Sequence, residues 1–124
     1  MADLLSEQAI LNNVYDSSNK SLTTIASGAA ATGIGDGVKT VTTAGTDVVL
    51  ASTTACNRVI IQAQTDNTGF IAVGATGVDA TVATGTGVLL AAGEALDFNI
   101  DNLADVYIDS TVSGEGVRFT YFTA

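Results

Sequence analysis

The 124-residue chain contains no histidine, proline or tryptophan, a single cysteine, Cys56, and only four cations, Lys20, Lys39, Arg58 and Arg118. Each scarcity removes a class of chemistry. Without histidine the commonest general base and the commonest metal ligand are both missing. Cys56 has no imidazole to take its proton, so it reads as a small buried or half-buried hydrophobe and not as a nucleophile. One cysteine cannot close an internal disulfide. Four cations against thirteen carboxylates leave a formal charge of -9, and the clustered lysines and arginines by which proteins grip phosphate backbones are lacking. Nucleic acid is therefore not an expected partner. No apolar run approaches the roughly 20 residues that span a bilayer as a helix, and Met1 to Ser6 lack the basic and apolar regions of a secretory leader. No membrane partner is expected either.

What remains is a lightly charged, apolar chain. Charged residues make up 14% of it and the mean hydropathy is +0.40, whereas a free-standing small domain covers itself with Lys and Glu. Some outward surface is expected to be covered by neighbours. Three zones differ in composition. Residues 1–25 carry Leu4, Leu5, Ile10, Leu11, Val14 and Tyr15 at spacings that predict a short amphipathic helix, or an extended arm, with Asp3 as a possible cap. About eleven residues of helix are marginal alone, so these six side chains are the candidate docking site for a partner or a neighbouring subunit. Residues 26–37 are rich in Gly and Ala and predict a flexible linker. Within them Gly33-Ile34-Gly35-Asp36-Gly37 resembles a phosphate loop only superficially, because the Lys and Ser/Thr that should follow the last glycine are missing.

Residues 38–124 read as short segments of alternating apolar and polar side chains closed by Gly, Asn, Asp or Thr. The expected strands are 38–43 and 46–50 around an Ala44-Gly45 hairpin turn, 57–64, 70–74 returning antiparallel after the turn at 65–69, 78–83, 88–90, 96–100, 106–108 and 117–122. Regular spacing with Gly-rich turns predicts an all-β, antiparallel, jelly-roll-like β-sandwich. The clearest alternation is Leu96-Asp97-Phe98-Asn99-Ile100-Asp101. Leu96, Phe98, Ile100, Val106, Ile108 and Phe119 are the expected core, with Phe98 among its most sensitive positions.

Asp97, Asp101, Asp105, Asp109 and Glu115 are the one carboxylate group worth testing as a calcium site or an acid–base pair. They alternate with apolar residues or flank strands, and no Asp-x-Asp-x-Asp-Gly loop occurs, so they read as solvated and turn-forming anions. No catalytic, cofactor or metal site is expected, and no enzymatic activity. Thr76, Thr81, Thr84 and Thr86 are too irregularly spaced for a flat threonine ladder.

The order of segments resembles small virion proteins of tailed bacteriophages, of the capsid decoration (cement) or head-fibre type. The stretches that carry it are Val41 to Leu50, Cys56 to Ala63, Asn67 to Gly74, Gly87-Val88-Leu89-Leu90-Ala91-Ala92-Gly93-Glu94-Ala95-Leu96 and Asn102 to Asp109, before a final aromatic strand. The resemblance implies a jelly-roll-like sandwich on the capsid exterior, bound to the major capsid protein, homo-oligomeric with a trimer preferred, and without catalytic residues. A fibre or tail subunit that binds a receptor or glycan, through Phe70 and Tyr107, is the alternative within the virion. A cellular carbohydrate- or calcium-binding module is the alternative outside it.

Overall fold

Period-two alternation becomes eight strands in the computed structural model, which describes residues 30–124. They are β1 (Gly33–Thr40), β2 (Val48–Val49), β3 (Arg58–Ala63), β4 (Ile71–Gly74), β5 (Val88–Leu90), β6 (Ala95–Phe98), β7 (Tyr107–Ser110) and β8 (Gly116–Thr123), with a 3-10 turn at Leu103–Asp105. Two four-stranded sheets result, in the orders β1-β8-β3-β6 and β2-β7-β4-β5. All pairings are antiparallel and nested: β1 lies on β8, β2 on β7, β3 on β6 and β4 on β5. The pairs β3 with β8 and β4 with β7 complete the sheets. The candidate arm residues Leu4, Leu5, Ile10, Leu11, Val14 and Tyr15 lie outside the described residues.

The core is the space between the inner faces. Val59, Ile61 and Ala63 of β3 and Val117 and Phe119 of β8 meet Ile71, Val73, Leu90 and Ile108 of the other sheet, and Val41, Leu50, Leu103 and Val106 close the ends. A second, smaller cluster lies on the outside of the β2-β7-β4-β5 sheet. There Ala72, Leu89 and Tyr107 are covered by Val78 and Ala80 of the β4–β5 loop. One sheet thus has its outer face roofed by the chain itself.

Four expectations need correction. The linker expected at 26–37 ends early, because β1 begins at Gly33 and pairs along its whole length with β8. Its glycines are there for space. A Cβ on Gly35 would stand 2.3 Å from the Tyr121 ring and one on Gly37 2.5 Å from the Phe119 ring, so the rings lie across a backbone that any side chain would push away. The segments around Ala44-Gly45 do not form a hairpin, nor does the chain turn back in the same sheet after 65–69. β1 and β2, like β3 and β4, belong to opposite sheets, and these turns carry the chain across the sandwich. Residues 78–83 form no strand: Thr86 and Gly85 donate backbone N–H groups to the carbonyls of Asp79 and Thr81, folding the segment on itself as the roof of the second cluster.

The fourth correction concerns the core. Val106, Ile108 and Phe119 are buried as expected, but Leu96, Phe98 and Ile100 are only half-buried against it, because β6 ends its sheet and no strand closes over their far side. The most deeply enclosed large side chains are Leu50, Ile61, Ile71, Leu103 and Ile108. Ile61→Ala is therefore expected to cost about 2–5 kcal/mol, and Phe98→Ala less than that despite the larger side chain removed. Urea denaturation of both variants checks the ordering.

Candidate functional site

The sequence directs attention to the carboxylates, and the structure sets them apart from one another. Asp97, exposed on β6, pairs with Arg58 of β3. Asp101 is exposed and is held through its main chain, its backbone carbonyl accepting from Cys56 N–H at 3.1 Å, and Asp105 sits in the 3-10 turn at the rim of an apolar cleft. Asp109 is 1% exposed, on the outer side of β7 beneath the β4–β5 loop. Its Oδ2 accepts from Ala80 N–H at 2.9 Å and its Oδ1 from Gly45 N–H at 3.1 Å. One buried side chain thus ties two loops to the sheet. Glu115, before β8, accepts from Gly69 N–H at 2.9 Å, Thr68 Oγ1 at 2.8 Å and Thr68 N–H. Among the described residues no three His, Cys, Asp or Glu side chains converge as a metal site would require.

Protonation follows from these contacts. For Glu115, desolvation pushes the pKa up, but the hydrogen bonds from Thr68 and Gly69 together outweigh it and hold the carboxyl below its ordinary value. Asp79 is lowered by hydrogen bonds from the Thr81 hydroxyl and N–H. Cys56 is half-buried, with Sγ 3.2 Å from the Ile100 carbonyl oxygen; burial, then the negative charge of Asp101, raises its pKa. The thiol is thereby kept protonated, the state in which it serves packing and a weak hydrogen bond.

Two surfaces remain unoccupied by the described chain. The first is a cleft of about 420 Å³ where the sandwich opens between β5 and β6, lined by Val73, Val88, Leu96, Phe98, Ile100 and Val106. The second is the outer face of the β1-β8-β3-β6 sheet. Alternation places Ile34, Asp36 and Val38 of β1 there, beside Phe122, Thr120 and Arg118 of β8 in register, with Ile60 and Gln62 of β3 next to them. Ile34 and Val38 are 70% and 65% exposed. The second face went unrecognised in the sequence because Ile34 and Asp36 fall in the supposed linker.

The two aromatic residues considered for ligand contact do not form a platform. Phe70 is 38% exposed at a loop end, whereas Tyr107 packs under the β4–β5 loop against the second cluster. No protein-family model, curated protein or solved structure matches the chain.

Asp109→Asn leaves one amide N–H2 facing a backbone N–H, and is expected to destabilise by about 1–3 kcal/mol. Denaturant titration measures the loss, and hydrogen exchange should show the Gly45 and Ala80 amides opening first. For Glu115, a folded pKa below the unfolded one gives stability that is present above the ordinary value of 4.5 and lost as pH falls through the lowered folded value. Native-state hydrogen exchange at descending pH below 4.5 should therefore show the Thr68 and Gly69 amides losing protection, and Glu115→Gln should remove that pH dependence.

Proposed function

We propose that the chain is a structural virion protein that decorates a tailed-bacteriophage capsid from outside and stabilises it by bridging neighbouring capsid subunits. The observation that carries this reading is the strand order. β1-β8-β3-β6 facing β2-β7-β4-β5 is what results when one long hairpin, its ends paired as β1 with β8 and its tip as β4 with β5, is rolled into two sheets. We read this order as jelly-roll-like, an architecture that recurs in viral shells and lectins. Fold alone does not choose between those uses.

Three features favour the shell. The stretches on which the resemblance rests, Val41 to Leu50 through Asn102 to Asp109, include residues of every strand from β2 to β7. The carboxylates best placed to hold a ligand are engaged instead in fixing loops, as Asp109 and Glu115 show. The aromatic pair needed for a sugar platform is split, with Tyr107 under the loop. In this reading the domain is a small rigid body with no catalytic residue, and residues 1–25, through Leu4, Leu5, Ile10, Leu11, Val14 and Tyr15, make the contact with the major capsid protein. On the shell, copies cluster with a trimer preferred, the capsid lattice setting that number. Apolar side chains buried on the shell oppose internal pressure by the area they remove from water.

Quantitative mass spectrometry of purified particles is expected to find this chain in numbers comparable to the major capsid protein. A few copies per particle would move it to a fibre or tail component, and absence would end the virion reading. Deleting residues 1–26 should leave a folded sandwich that no longer sediments with capsids.

A further inference from the structure

The charges of the domain are distributed unevenly over its surface. Two of the three cations among residues 30–124, Arg58 and Arg118, stand on the outer face of the β1-β8-β3-β6 sheet, together with two carboxylates, Asp36 and Asp97. Elsewhere the described chain has eight carboxylates against a single cation, Lys39. The face is formally neutral on a strongly acidic body. It is also where Ile34 and Val38 are exposed, whereas the opposite sheet is roofed by its own loop. For two copies of this chain to approach, this is the face on which like-charge repulsion is least.

The four charges are not equivalent. Arg58 and Asp97 neutralise each other within the sheet. Arg118 donates through Nε to Gln64 Oε1 at 3.0 Å, and among the described residues neither it nor Asp36 has an ion-pair partner. Asp36 lies opposite Thr120 and Arg118 opposite Val38, so the unpaired anion and cation sit at the two ends of a diagonal across adjacent strands.

We propose that this face is a self-association surface, on which two copies of the chain meet about a two-fold axis, each placing its Asp36 against Arg118 of the other. An axis lying between the two faces and crossing the Asp36–Arg118 diagonal at right angles exchanges the two ends. The same axis brings Val38 of one copy against Val38 of the other, so exposed aliphatic surface is buried at the centre and the charge pairs flank it. With strands ~4.8 Å apart and ~3.4 Å per residue, a sheet whose β1 and β8 have eight residues each, β3 six and β6 four covers roughly 400 Å² per copy, below the size of a stable specific interface. The association is therefore weak and grows with concentration. It is independent of the capsid reading.

Sedimentation equilibrium of the full chain tests it. The wild type should shift toward twice the monomer mass as concentration rises, and less so at high salt. Asp36→Arg faces Arg118 with a second cation in the pair, Arg118→Asp faces Asp36 with a second anion, and each should weaken association at least tenfold. An equimolar mixture of the two should recover it, because in the mixed pair both contacts are again of opposite sign. Val38→Asp, close to the axis, should abolish association in every combination. Both charge-reversal positions are exposed, and unchanged melting temperatures would show that folding is intact. A wild type that stays monomeric, single variants that associate like the wild type, or a mixture that fails to recover would each overturn the proposal.

Discussion

The sandwich depends on two aromatic rings lying across two glycines. Phe119 and Tyr121 project inward from β8, their centroids 6.4 Å apart, and each covers the backbone of the β1 residue opposite, Gly37 or Gly35. A glycine strand has little tendency to order itself, since it carries the largest backbone entropy and no side chain to pack. The rings supply what the glycines lack, apolar area on the inner face of an edge strand. They also fix register: displacement by one residue would bring Phe119 against Asp36 or Val38, where no space exists for it. Because β8 also pairs with β3, the same strand that organises the glycine edge carries the centre of the sheet.

That arrangement explains what could and could not be read from the residues. Alternation in 58–63, 95–98 and 116–123 announces strands because each has one wet and one apolar face, and no distant partner is needed to see it. The glycines of β1 are different. Their role is visible only beside Phe119 and Tyr121, some eighty residues away, so composition alone reads them as a linker. Sheet membership is hidden for a similar reason. A Gly-containing turn with a hydrogen bond from Thr46 N–H to the Thr43 carbonyl closes a hairpin or carries a chain between layers equally well, and only the competing partners of β1 and β2 decide. The half-burial of Phe98 is hidden as well, because alternation reports which face is apolar but not whether a strand lies in the middle or at the end of its sheet.

The carboxylates make the same point for the candidate site. In sequence Asp97, Asp101, Asp105 and Asp109 are evenly spaced and look like a group. On the fold they divide among the outer face of one sheet, a bridge to the Cys56 segment, the rim of the apolar cleft and the roof of the other sheet. Asp109 is the informative case. A carboxylate in a near-fully buried position is costly unless its oxygens are satisfied, and two backbone N–H groups from two different loops satisfy them. The acid is part of the reason the 75–87 loop stays down, which in turn leaves only one outer face uncovered.

Nested pairing has a mechanical consequence. The first strand lies on the last, and Thr32 N–H donates to the Thr123 carbonyl at 2.8 Å, so the chain enters and leaves the sandwich at one corner. Nearly every sheet contact is between segments distant in sequence, and loop-closure entropy must be met before any of them forms. Such a domain gains little from partial structure: β1 has no partner until β8 is in place, and β8 needs β3 beside it to be held. Unfolding should accordingly be all-or-none, because even the edge strand β1 cannot peel away without uncovering Phe119 and Tyr121. A force applied at Gly33 would act first on the hydrogen bonds of the β1–β8 ladder and on the two rings beneath it, making that ladder the element whose strength limits any role in which the domain is held by its N-terminal side.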